Sequence, residues 1–423
     1  DGWRESVRDG RRREQPRMRS RDVPARDGYT VKLTLDSKIQ GFAEEACEKI
    51  ARELTPISAS IIVSEAKNGK ILALANTPTF DLNKFNVEPT EHQRNRALTD
   101  TYEPGSVFKI VSVAAALEEG VVTENSVFDC AKTSVPYRGK MRRLPREDHE
   151  MARLSVREII EQSSNRGTAQ VAMKFCEKFG EEAYVDYIRK FGFGEKTHFV
   201  GGSGEQRGIV HNPKNWDGLT ITRLPMGHAI SVTPLQAHYA MSVVASGGVL
   251  YPPRIVDQLV DGQGKVVGTL PIAPPKRVIS EKTAKLLAGM LRGAVANLPE
   301  KRNTGKNADI PGYNVAGKTG TTQKIKETGG YYDDFYVVSF SGFFPAENPR
   351  IVITVVIDGP RYYAERWVAK RDGNGRVMRY PNGTMIMEKK VLPTRAYGGT
   401  VAAPVFKEVA EKIIRWLEIP KSN

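Results

Sequence analysis

Residues 102–109 read Tyr102-Glu103-Pro104-Gly105-Ser106-Val107-Phe108-Lys109, and an apolar run, Ile110 to Leu117, follows directly. Pro104 and Gly105 interrupt the chain just before a helical pattern from Ser106 to Glu119. Ser106 and Lys109 are therefore predicted one turn apart on the same helix face, at its N-terminal end. Such a pair can be a nucleophile with its base. A serine hydroxyl attacks a carbonyl when a neighbouring group takes its proton, and a lysine amine serves only if burial or a second cation lowers its pKa. The N–H groups of the first turn would stabilise an oxyanion, the amide of Ser106 among them. Read as structure alone, Ser106 is a helix N-cap. Ser-x-x-Lys by itself is weak, since about one or two copies arise by chance in a chain of this length. Ser64-Glu65-Ala66-Lys67 is such a copy, but it runs from a strand into an Asn-Gly turn, where a spacing of three does not align the side chains.

Two further stretches give Ser106 company. Ser163-Ser164-Asn165 follows Ile159 and Ile160 and precedes more helical pattern, which predicts a turn between helices. There Ser163 would relay a proton between Lys109 and a leaving amine, and Asn165 would donate to and accept from a substrate amide. Without the other motifs, the pair reads as a polar helix junction. Lys318-Thr319-Gly320-Thr321 lies in an apolar strand setting, whereas the Lys-Thr pairs at Lys132, Lys196 and Lys282 lack the following glycine. Lys318 is a candidate for the second cation. Lys318, Thr319 and Thr321 would hold a carboxylate, Gly320 would let a ligand approach the strand backbone, and the Thr321 amide would complete the oxyanion hole. The plain alternative is a glycine turn at a strand end.

Outward from these motifs, Tyr29 to Leu35 alternates as a strand, and Asp36 or Ser37 can cap the helix that carries Ile39, Phe42, Ala43, Ala46 and Ile50. Ser58 to Ser64 and Lys70 to Ala75 form a hairpin across Asn68-Gly69. Helical patterns fill Ser155 to Lys178, Ala183 to Phe191 and Thr283 to Ala296. Strands return at Tyr336 to Phe344 and Arg350 to Ile357, and Val405 to Leu417 closes the chain as an amphipathic helix. This order predicts an α+β domain with an antiparallel sheet between helical layers, the early hairpin and late strands sharing the sheet.

The chain has 423 residues, 40% of them apolar, and a net charge of +14. The excess begins early, with Arg4, Arg8, Arg11, Arg12, Arg13, Arg17, Arg19, Arg21 and Arg26. No nucleic-acid module or aromatic stacking motif accompanies that charge, so a solvated arm is the expectation and no nucleic-acid partner is predicted. Cys47, Cys130 and Cys176 fit neither a disulfide framework nor a zinc pattern and read as buried small apolar residues. The six histidines lack ligand spacing and no phosphate loop is present, so neither metal nor cofactor is predicted. The longest apolar runs fall short of the roughly 18 residues of a membrane helix. The chain opens in a charged run without an initiating Met, which reads as a piece of a longer protein.

Ser-x-x-Lys, Ser-x-Asn and Lys-Thr-Gly, in that order, resemble the active-site set of penicillin-binding transpeptidases. The surrounding words are similar to class B members: Arg96-Ala97-Leu98-Thr99-Asp100, Ile230-Ser231-Val232-Thr233-Pro234-Leu235-Gln236, and Tyr397-Gly398-Gly399-Thr400-Val401. They look more like the cell-division and sporulation branch than the elongation branch. The resemblance implies a penicillin-binding transpeptidase fold over residues 29–423 with an inserted hairpin around 361–396. Residues 1–28 would be an Arg-rich remnant of an N-terminal pedestal domain of the dimerisation type.

It further implies a serine D,D-transpeptidase that cross-links peptidoglycan stem peptides through an acyl-enzyme on Ser106, and that β-lactams acylate. Lys109, Ser163, Asn165 and Lys318 would be catalytic, Thr319, Gly320 and Thr321 would bind substrate, and the amides of Ser106 and Thr321 would form the oxyanion hole. The expected partners are a membrane glycosyltransferase and division or elongation proteins. The expected place is the outer face of the cell membrane, through an anchor missing from this chain. The rival readings are a D,D-carboxypeptidase or β-lactamase, in which water resolves the acyl-enzyme, and a non-catalytic wall-peptide-binding scaffold.

Overall fold

The computed structural model describes residues 2–18, 21–297, 303–326, 328–373 and 375–422. The elements that position the motifs are, in chain order, helix α1 (Ser37–Leu54), strands β1 (Ser58–Glu65) and β2 (Ile71–Thr77), and helices α2 (Lys109–Glu118), α3 (Val156–Glu161), α4 (Asn165–Phe179), α5 (Pro234–Ala245) and α6 (Glu281–Val295). Strands β3 (Ala316–Ile325), β4 (Tyr331–Phe344) and β5 (Ile351–Asp358) and helix α7 (Gly398–Trp416) complete them.

The central sheet runs β3-β4-β5-β1-β2 and is antiparallel throughout, so the early hairpin and the late strands do share it. Its middle strand β5 is buried on both faces, which is why Ile351 to Ile357 is almost continuously apolar. The pleat divides those residues. Ile351, Ile353, Val355 and Ile357 meet α1 and α7, while Val352 enters the core on the opposite face with α2, α3, α4, α5 and α6. Phe406 of α7 packs against Phe340, ring centroids 4.7 Å apart, and against Phe344. Each such buried side chain contributes about 1.5–3 kcal/mol of transfer free energy. The order is therefore helices, sheet, helices, with the expected α+β architecture.

Several local expectations shift. Asp36, not Ser37, caps α1 by accepting from the backbone N–H of Lys38 and Ile39. The strand near Tyr29 forms over Thr30–Leu33 but joins a separate exposed three-stranded sheet with Val256–Val260 and Val266–Gly268. The helical pattern from 106 starts as a 3-10 turn, Gly105–Phe108, with α2 only from Lys109, so Ser106 is not an N-cap. The pattern from 155 is two helices, α3 and α4. The last helix begins at Gly398, well before the expected Val405, and carries Pro404 inside it.

At the N-terminus, Trp3–Glu5 pairs with Arg21–Val23 as an exposed ribbon. Arg4 faces Asp22 at 3.4 Å across it. Asp1, Arg19 and Ser20 lie outside the described residues. The stretch expected to be an insertion forms a hairpin of Tyr363–Ala369 with Met387–Pro393, and its far end turns at Gly383. Cys47, Cys130 and Cys176 are buried and unpaired.

Candidate active site

The nucleophile candidate sits in the 3-10 turn that enters α2. Lys109 N–H donates to Ser106 O across this turn. In 3-10 geometry residues i and i+3 eclipse, so Ser106 and Lys109 align more closely than a regular α-helix would allow. Ser106 is partly exposed and Lys109 is fully buried. The turn's leading N–H groups have no helical partner, which leaves the amide of Ser106 available as a donor.

What holds the turn in place is glycine against glycine. Gly105 has φ +55° and Gly227 φ +83°, and Gly105 N–H donates to Gly227 O at 3.1 Å. A Cβ on Gly227 would stand 2.1 Å from Gly105 O. Glu103, buried, clamps the same junction: its carboxylate accepts from Ala229 N at 2.8 Å and from Tyr331 Oη at 3.1 Å. Burial raises the Glu103 pKa against those hydrogen bonds. Thr322 Oγ1 donates to Glu103 O at 2.9 Å, tying the segment to β3.

The motif of Lys318 lies in mid-strand and not at a glycine turn. Among the described residues β3 pairs only with β4, so it is an edge strand. Strand alternation sorts its side chains. Lys318 and Gly320 face the turn of Ser106, whereas the hydroxyls of Thr319 and Thr321 meet Thr304 Oγ1 at 3.1 Å and Gly398 N at 3.0 Å. Gly320 also serves a different purpose from the one expected. A Cβ there would stand 2.3 Å from Ser339 Oγ and 2.8 Å from Pro104 O, so its missing side chain admits the protein's own Ser106 turn.

Ser163 joins the two lysines. Lys318 Nζ donates to Ser163 Oγ at 2.8 Å. Lys109 Nζ donates to Ser163 O, to Ser163 Oγ at 3.1 Å and to Asn165 Oδ1 at 2.7 Å. Asn165 Nδ2 donates to Arg146 O at 2.8 Å, which leaves one of its two hydrogens for a ligand. Ser163 reaches this place through an unusual backbone. Helix α3 ends in a Schellman motif, with Ser164 N–H on Ile159 O at 2.9 Å and Ser163 N–H on Ile160 O at 3.3 Å. Ser163 therefore takes the left-handed position, φ +63°, that glycine usually fills, at a cost of about 1 kcal/mol.

Both lysines are 0% exposed. Burial pushes the Lys109 pKa down to about 8, while Glu147 and Asp148 hold it up. Lys318 lies well below the ordinary lysine value because of burial and then of the positive charge of Lys109. The second-cation expectation is thus reversed. Lys109 keeps the charge, and it presses Lys318 toward the neutral amine, since two ammonium groups cannot share one buried hydroxyl.

All eight expected residues therefore converge where the Ser106 turn, the α3–α4 junction and β3 meet. The sequence motifs omit Gly227 and Glu147 and give Glu103 no role. Gly227 carried a faint signal, a Pro-x-Gly turn just before Ile230. A penicillin-binding protein transpeptidase domain model matches residues 59–372. The chain belongs to that family.

Among its relatives, this transpeptidase domain is 33% identical over 407 residues to stage V sporulation protein D of Bacillus subtilis, covering 95% of this chain and 56% of that protein. It is 35% identical over 340 residues to penicillin-binding protein PbpB of Mycobacterium tuberculosis, covering 79% and 48%. Penicillin-binding protein 3 of Mycobacterium tuberculosis, solved with aztreonam, matches with a TM-score of 0.76 at 31% identity, covering 95% of this chain and 83% of that one. These relatives place the chain in class B, on the division and sporulation branch. It spans about half the length of the curated relatives it matches. No helix among the described residues is long and apolar enough to cross a membrane.

Proposed function

We propose that this chain is the transpeptidase part of a wall-building enzyme that cross-links peptidoglycan stem peptides through an acyl-enzyme on Ser106. The observation that carries the reading is Ser163, whose hydroxyl links two buried lysines whose pKa values are both lowered, one turn from a partly exposed serine.

In the first half-reaction Ser106 Oγ bonds to the carbonyl carbon of the penultimate D-Ala, and its proton passes to Lys109 in the deprotonated form that its pKa, lowered to about 8, keeps within reach. The amides of Ser106 and Thr321 receive the oxyanion. The carbon–nitrogen bond then breaks, Ser163 relays the proton to the departing amine, and D-Ala leaves. In the second half-reaction an amine of a neighbouring stem attacks the ester, the new amide forms, and Ser106 recovers its proton. The open edge of β3 suits an extended stem peptide, which can add to it as a strand while the face of Thr319 and Thr321 receives its carboxylate. A β-lactam would acylate Ser106 by the same first step.

The family supports a wider setting. The catalytic domain, residues 29–423, works on the outer face of the cell membrane beside a glycosyltransferase and division proteins. Residues 1–28 are the tail of a pedestal domain, and the hairpin around 361–396 is an addition to the domain.

The test is labelling with a fluorescent penicillin and peptide mass mapping, on the wild-type chain and on Ser106→Ala. The expected result is one stable adduct on Ser106 that the substitution abolishes. No adduct on folded protein would favour a non-catalytic scaffold, and rapid release of hydrolysed penicillin would favour a β-lactamase.

A further inference from the structure

The turn that carries Ser163 and Asn165 is held from outside by a residue that belongs to no motif. Glu147 Oε1 accepts from Ser164 Oγ at 2.7 Å and from Arg166 N at 2.8 Å, and Oε2 accepts from Asn165 N at 2.9 Å. Three donors in consecutive residues converge on one carboxylate at the start of α4, where the helix dipole favours negative charge. The turn needs such an anchor, because Ser163 is in the left-handed region. Ser164, as N-cap of α4, spends its hydroxyl oxygen on Gly167 N at 2.9 Å, so its proton is free for Glu147.

The same carboxylate faces the active-site lysine. Around Lys109 lie Glu147 and Asp148 from the segment before α3, Cys130, Lys318 from β3 and His228 from the loop of Gly227. Only Glu147 and Asp148 bring acidic charge, and only Glu147 also bonds the turn that Lys109 donates to. His228 is partly buried, with a pKa lowered to about 4, and stays neutral across the working range.

We propose that Glu147 is a positioning residue for acylation: it fixes the Ser163–Asn165 turn against Lys109 and supplies the negative charge that the buried ammonium faces. The inference rests on the reading of Ser106 as the acylated serine. Glutamine at 147 keeps one carbonyl oxygen, enough for the donors of Ser164 and Arg166, and removes the charge together with the acceptor for Asn165 N–H; aspartate keeps the charge on a shorter arm, and alanine removes both.

The experiment measures the rate of acylation by a fluorescent penicillin from pH 5.5 to 9.5 for the wild type, Glu147→Gln, Glu147→Asp and Glu147→Ala, with a thermal melt of each. The wild-type rate should rise through about pH 8 as Lys109 loses its proton. In Glu147→Gln the acid limb should move to lower pH, so that the rate at pH 6.5 relative to the plateau rises about threefold or more, the change that half a pH unit produces. Glu147→Asp should return the limb toward the wild-type position. Glu147→Ala should lower the plateau about tenfold or more. Superimposable profiles for the wild type and Glu147→Gln, or an undiminished plateau in Glu147→Ala, would overturn the proposal. Should Glu147→Ala fail to fold, the Gln and Asp profiles decide. A wild type that never acylates would sink the reading of Ser106 instead, which keeps the two failures apart.

Discussion

Gly227→Ala changes a single hydrogen into a methyl group, at a residue that contributes no side chain to the catalytic set, yet it should disable the site. Residue 227 sits at φ +83°, and a left-handed alanine costs about 1–2 kcal/mol. Its Cβ would stand 2.1 Å from Gly105 O and 2.6 Å from Gly105 N. Contact distance for carbon is about 3.5 Å, so one of the two backbones must move by more than about 1 Å. Overpacking of this kind costs about 1–3 kcal/mol, and with the backbone penalty the loss comes to about 3 kcal/mol. For 423 residues the unfolding entropy is about 0.9 kcal/mol/K, which places the fall in Tm at about 3 °C. The displacement falls on the residue immediately before Ser106, and a 1 Å misplacement costs about 10²-fold in rate. Thermal melts and penicillin acylation kinetics, run side by side, read both quantities. A variant that acylates at the wild-type rate would show that the glycine pair does not position the nucleophile.

Ser163→Ala removes the hydroxyl that receives both lysines, and acylation should fall about 10²–10⁴-fold, the usual contribution of a positioned proton carrier, as read by the rate of penicillin labelling. Lys67→Met tests the competing Ser-x-x-Lys: Lys67 is exposed and bonds Asn348 at 2.7 Å, so acylation should be unchanged and unfolding free energy should move by less than about 0.5 kcal/mol. His238, fully buried between Ser64 at 2.7 Å and Thr354 at 3.0 Å, has its pKa lowered from 6.5 to about 3 by burial. The folded state therefore binds fewer protons than the unfolded chain. Its contribution to stability is complete above pH 6.5 and is lost as pH falls toward about 3. Denaturant melts of the wild type and His238→Asn at pH 7 and 5 should show a smaller pH dependence in the variant; equal dependence would refute the assignment.

What was legible in the sequence was what local spacing decides. Ser106 and Lys109 are three residues apart at a helix entry, and any helical geometry aligns them. The nearly continuous apolar run of β5, broken only by Thr354, announces a buried strand, and with the early hairpin it is enough to predict the central sheet. The turn at Ser163 was legible only as a turn. Its left-handed backbone follows from how α3 ends, and the residue that would have signalled it, glycine, is replaced there by Ser163.

The remaining gaps share a physical cause: they depend on burial and on contacts between distant segments. Lys318 had the right partner and the opposite charge state, because which of two lysines keeps a proton depends on desolvation and on the carboxylates nearby, and no spacing encodes either. Gly320 was expected to make room for a ligand, and it makes room for Pro104, Val107 and Ser339. That difference matters for the chemistry. A β3 pressed directly onto the Ser106 turn fixes the Thr321 amide relative to the nucleophile, so the two expected oxyanion donors come from segments more than two hundred residues apart yet packed together. Preorganised donors act only if they do not reorganise as charge develops, and glycines at 105, 227 and 320 are what permit backbone to lie against backbone at that junction.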